Sequence, residues 1–121
     1  MGNEKPNFSK YGKDFQESLC QMILQDRPFA DQIMEVLDIN FLELRYLRVF
    51  VRKIFEYREK YDVHPTYKTM ISIIRAGLEE ENPATQQQLR SYFARIHNTQ
   101  VNGSEYVKNI ALDFCRKQKL K

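Results

Sequence analysis

Apolar residues recur at helical spacing along almost the whole chain, and the longest such pattern lies between Asn40 and Pro65. Leu44, Leu47, Val51 and Ile54 follow one another three or four positions apart, with Tyr61 closing the row. A second row, Tyr46, Phe50 and Tyr57, runs beside it. A helix that is apolar on two faces needs neighbours on two sides, so this segment is expected to be the central rod of a small helical domain. Asp62-Val63-His64-Pro65-Thr66 ends it, because the residue before a proline avoids helical backbone. Thr66 is then placed to cap the next helix.

The flanking segments repeat the pattern on a shorter scale. A first helix is predicted from about Asp14, its expected cap, to Gln25, with Phe15, Leu19, Met22 and Ile23 inward. Asp26-Arg27-Pro28 breaks it and restarts a second, to about Leu37, burying Phe29, Ile33, Val36 and Leu37. After the rod, Thr66 to about Glu80 carries Tyr67, Met70, Ile71, Ile74 and Leu78 on one side. Glu79, Glu80 and Glu81 lie at the end disfavoured by the helix dipole, which predicts a frayed, solvated terminus. Asn82-Pro83 opens a fifth helix to about Asn98, and Asn102 or Ser104 a sixth from about Glu105. The expectation is an all-α fold: a small bundle of about four helices around a long central helix, followed by a C-terminal helical hairpin. Residues 1–12 read as a flexible lead, 13–81 as the globular body and 82–121 as the hairpin.

Composition narrows the class. A chain of 121 residues makes one domain with a sizeable core, and only four glycines favour helices over sheets. The net charge of +3 is too small to imply nucleic acid on its own. Cys20 and Cys115 form no C-x-x-C pair and read as buried thiols of a reducing compartment. The first residues lack the apolar run of a signal peptide, and no stretch approaches the length of a membrane span. A cytosolic protein with no membrane partner is expected.

Candidate chemistry is sparse. No phosphate-binding loop and no dinucleotide fingerprint occurs. His64 reads as a loop or capping residue and His97 as a helix-end residue. No serine or cysteine has a base placed beside it. The chain alone is expected to hold no catalytic, cofactor or metal site. Two features stand out. The aromatic set Phe41, Tyr46, Phe50, Phe55, Tyr57 and Tyr61 is read first as core, and second as a surface meeting another subunit. Arg116, Lys117, Lys119 and Lys121 suit the dipole at a helix C-terminus, and offer possible nucleic-acid or partner contacts, although no aromatic residue interleaves with them.

The early helix carries Glu17, Cys20, Gln21, Ile23 and Leu24. Phe41 stands before a long helix containing the pair Ile54-Phe55. Val63-His64-Pro65-Thr66 opens the following helix, and Tyr106, Ile110, Phe114, Arg116 and Lys117 recur along the last one. Taken in that order, these pieces resemble the N-terminal domain of DnaB-type replicative DNA helicases, in particular their bacteriophage branch. The match runs from about Phe15 to the end. It departs from the family in the Lys- and Tyr-rich lead and in lacking a glycine before the proline turn.

The resemblance implies a parent that is an ATP-dependent, hexameric 5′→3′ helicase, using ATP and magnesium in an ATPase domain that would follow Lys121. This chain would be its collar. It would associate with itself through the hairpin of the last two helices, and its partners would be primase, a helicase loader, and DNA through the parent ring, in the cytoplasm of a bacterial or phage-infected cell. The expected self-association stripe is Leu89, Tyr92, Phe93, Ile96, Val107, Ile110 and Phe114. A projecting two-helix hairpin cannot bury both of its apolar faces alone, which points the same way. The alternative is a stand-alone helical protein that binds single-stranded nucleic acid through the basic end and Arg45, Arg48 and Arg52, or an adaptor that docks on a primase or helicase.

Overall fold

The computed structural model describes residues 5–120 and is all-α, with no strand among them. Six helices follow in order: α1 (Gly12–Gln25), α2 (Arg27–Ile33), α3 (Arg45–Tyr61), α4 (Tyr67–Gly77), α5 (Pro83–Ile96) and α6 (Ser104–Lys119). Short 3-10 turns at Ser9–Tyr11 and Ile39–Phe41 precede α1 and α3.

Three helix starts follow from local chemistry. The carboxylate of Asp26 accepts from the Phe29 amide, Thr66 accepts from Thr69, and Asn82 accepts from Thr85. Each cap satisfies a backbone N–H that the first helical turn leaves without a partner. Two expected caps are absent. Asp14 lies inside the first turn of α1, where it suits the dipole; Tyr11 occupies the cap position without a side-chain bond. Gly103, in a left-handed conformation, precedes α6 in place of a capping Asn102 or Ser104. Asp38 caps the turn at Ile39–Phe41 through the Asn40 amide, the chain then runs extended at Leu42 and Leu44, and the rod starts at Arg45. It ends at Asp62, whose left-handed backbone (φ 59°) reverses the chain ahead of Pro65.

α3 is the longest helix, as the spacing predicts, and α1 shares the centre with it. Nine of the 14 residues of α1 are buried, against six of 17 in α3. α1 packs on α2, α3 and α6, so even its polar Gln16, Glu17 and Gln21 are covered. The described part of the expected lead is also docked. Phe8 is fully buried, its amide donates to the Phe41 carbonyl at 2.8 Å, and its ring meets Phe15, Phe41 and Phe114. Residues 1–4 of that lead, and Lys121, lie outside the described residues.

The last two helices do not make a self-contained hairpin. α5 packs chiefly on α3, while α6 packs on α1 and α2. An apolar stripe records that a helix has a buried face, but not which neighbour covers it. Here the body supplies both covers.

Candidate functional site

The expected self-association stripe is occupied within one chain. Leu89 and Tyr92 are fully buried, and Phe93, Ile96 and Val107 nearly so. Phe93 stacks on Tyr67 at 4.1 Å with the rings almost parallel. Ile110 and Phe114 are half-buried against the core, and Phe114 lies 4.6 Å from Phe8 and 5.3 Å from Phe41, ring to ring. Five of the seven are thus largely covered by the body, while Ile110 and Phe114 stay half-exposed and an edge of Phe93 lines a groove beside α4. Of the basic set, Arg116, Lys117 and Lys119 are exposed at the end of α6, and Lys117 is paired with Asp113 one turn back. Of the arginines on the rod, Arg48 donates to the Leu42 and Glu43 carbonyls, which holds the turn before α3, while Arg45 and Arg52 are drawn to a carboxylate described below.

The most developed polar site is one the pattern of apolar residues did not reveal. Glu17, on α1, is buried where α1, α3 and α5 meet. Its carboxylate accepts two parallel bonds from the Arg95 guanidinium, both at 3.0 Å, and a third from the Tyr46 hydroxyl. Tyr92 donates to the Glu17 backbone carbonyl at 2.6 Å. Burial pushes the Glu17 carboxyl up, but the Arg95 and Tyr46 hydrogen bonds outweigh it, and it titrates below the usual carboxylate range. The same contact, added to burial, raises the Tyr46 phenol far above its ordinary value. Glu17 is thus a fixed anion and Tyr46 a fixed donor, an arrangement that holds three helices in register. One signal for it was present in the sequence. Tyr46 and Tyr92 stand in apolar rows, and a buried phenol needs an acceptor.

A second carboxylate reverses an expectation. Glu81 does not belong to a solvated acidic end. It is buried, and bridges to Arg45 at 2.9 Å and Arg52 at 3.4 Å on α3. Burial pushes its carboxyl up and the two arginines more than compensate, so its pKa is lowered. α4 stops at Gly77, and the turn that follows swings Glu81 back over the rod. Glu79 and Glu80 are exposed, as expected.

The third polar cluster borders an open cleft of about 530 Å³ between α2 and the α3–α4 turn. His64 faces the Leu24 carbonyl through Nε2 at 2.7 Å and Arg58 through Nδ1 at 2.6 Å. A carbonyl only accepts and a guanidinium only donates, so the ring is neutral, with its proton on Nε2. Burial and the Arg58 charge lower its pKa, against the pull of the Leu24 bond. Arg58 also pairs with Asp31. His64 therefore ties the end of α1 to α2 and α3.

Among the described residues the thiols have no activating partner. Cys20 is fully buried and its pKa is driven far up; Cys115 is pushed up to about 12 by burial. Among the described residues, no three His, Cys, Asp or Glu side chains converge as a metal site, and no helix is long and apolar enough to cross a membrane. None of their buried side-chain polar atoms lacks a partner. The chain is a small all-α bundle locked by polar clusters. Comparison with protein-family models, curated proteins and solved structures returns no match.

Proposed function

We propose that this chain is a docking domain of the collar type, belonging to an ATP-dependent replicative DNA helicase. In this reading it acts as a scaffold for primase or a loader and leaves ATP and magnesium to a separate ATPase domain. The observation that supports the reading is where the resemblance-bearing residues sit. Phe41 packs against Phe8 and Phe114 at the entry to α3, Ile54 is fully buried, and Pro65 is buried at the exit with Thr66 capping α4. Phe41, Ile54 and Pro65 are thus joints at which the rod meets its neighbours, while Tyr106, Arg116 and Lys117 of the last helix are exposed.

Leu89, Tyr92, Phe93, Ile96 and Val107 are covered within one chain and Ile110 and Phe114 only half so, and sedimentation tests whether the collar associates with itself through what those two leave open. The test is the gene. A reading frame that runs on from Lys121 into a G-x-x-x-x-G-K-[ST] domain supports the collar. A frame that stops there, with the protein binding a separate helicase or primase in sedimentation, replaces the collar with an adaptor. A frame that stops, with no binding to either, removes both.

A further inference from the structure

Between α4 and α5 runs a shallow groove of about 270 Å³, lined by Tyr67, Ile71, Ile74, Arg75, Arg90, Phe93 and Ala94. Its origin lies in the packing. The backbone of α4 stands farther from its neighbours than that of the other helices and is held mainly by side chains, among them the buried Met70 and Ile74. The facing walls are two four-spaced rows, Tyr67-Ile71-Arg75 on α4 and Arg90-Ala94 on α5. Ile74 and Phe93 make the floor.

The groove has polarity. At one end Tyr67 stacks on Phe93, donates its hydroxyl to the Phe93 carbonyl at 2.8 Å, and meets His97 edge-on. Because the start of α4 meets the end of α5, the two helices run antiparallel, which brings Arg75 and Arg90 to the opposite end. Arg45, Arg52, Arg58 and Arg95 each hold a carboxylate of this chain. Arg75 and Arg90 are exposed and hold none among the described residues; Arg90 meets only the Gln86 amide oxygen, one turn away on its own helix. An apolar trough thus ends in two guanidiniums that no carboxylate among the described residues answers.

We propose that this groove docks a short amphipathic segment of a partner protein, whose apolar stripe lies on Ile71, Ile74 and Phe93 and whose acidic end meets Arg75 and Arg90. Apolar contact supplies the attraction, and the arginine pair sets direction and selects against basic partners. The inference stands apart from the helicase reading and fails or survives independently of it.

The probe is a synthetic helical peptide of about 14 residues, long enough for four turns. It carries leucines at helical spacing and two glutamates at one end. A matched peptide carries lysines in their place. Both are titrated into the isotope-labelled chain and followed by amide chemical shifts. The expected result is shifts confined to residues 67–75 and 90–94, and binding about tenfold tighter for the glutamate peptide than for the lysine peptide. In the Arg75→Glu/Arg90→Glu variant, which changes only exposed side chains, the preference should invert. The milder Arg90→Gln should lose about half of it on a logarithmic scale, roughly threefold. Equal binding of the two peptides, shifts mapping elsewhere, or self-association of the chain through this groove in place of peptide binding would each overturn the proposal.

Discussion

The guanidinium of Arg95 forks onto the carboxylate of Glu17 across 78 positions of sequence, with both of its bonds at 3.0 Å. This pair joins α5 to α1, and Tyr46 of α3 completes it. Its worth depends on which partner is removed. Glu17→Gln leaves a buried phenol and a guanidinium facing an amide that cannot accept all three bonds, so a loss of about 2–3 kcal/mol is expected. Arg95→Ala removes the half-exposed partner and leaves the Tyr46 bond in place, so a smaller loss of about 1–2 kcal/mol is expected. Urea unfolding of the two single variants and the double variant measures both losses and their coupling. Strict additivity would show that the fork contributes nothing as a pair.

His64 makes the fold sensitive to mild acid. Its folded pKa is lowered from the usual 6.5, so below that value the unfolded chain binds the proton more readily than the folded one. Stability is therefore retained above about pH 6.5 and falls as the pH drops from there towards the lowered value. His64→Gln, which cannot titrate, should be less stable than the native chain at pH 7.5, and the gap should narrow by pH 5.5. Urea midpoints at four pH values check this. A gap that is constant with pH would mean that the ring is not held neutral by Leu24 and Arg58.

The helices were legible in the sequence because each buries one stripe and is punctuated by a proline or a capping residue. Thr66 before Tyr67 and Asn82 before Pro83 show this directly. What periodicity cannot express is which helix receives which stripe. Leu89, Tyr92 and Phe93 announced a face for α5, and only the fold shows that α3 covers it. The same limit hid the polar clusters. Glu17 and Glu81 have the composition of surface residues, and become interior ones only because Arg95, Arg45 and Arg52 arrive from distant segments.

Glu81 links the turn after α4 to the rod, so its loss should loosen that turn more than the whole fold. Glu81→Gln keeps the shape and removes the charge. A global cost of about 1 kcal/mol is expected, because Arg45 and Arg52 are partly exposed and return to water. Hydrogen exchange should quicken mainly in residues 78–86, where the Gln86 side chain also bonds the Glu81 carbonyl. The native carboxyl titrates low, so its contribution is present above about pH 4.5 and is lost as the pH falls through its lowered value. Uniform quickening over the whole chain would contradict a local role.

Phe114→Glu separates a packing role from an assembly role. If the ring served self-association, the variant would stay folded and lose only its partner. The structure places it between Phe8 and Phe41, half-buried, in the cluster that docks the described start of the chain onto α6. A carboxylate there loses the aromatic contacts and strands a charge beside apolar rings, and about 3 kcal/mol of destabilisation is expected. Phe114→Leu keeps most of the volume and should lose about 1 kcal/mol. Thermal melts with sedimentation at the same concentrations read both effects. A lower melting temperature with unchanged mass fits the packing role. An unchanged melting temperature with reduced mass would assign Phe114 to an interface after all.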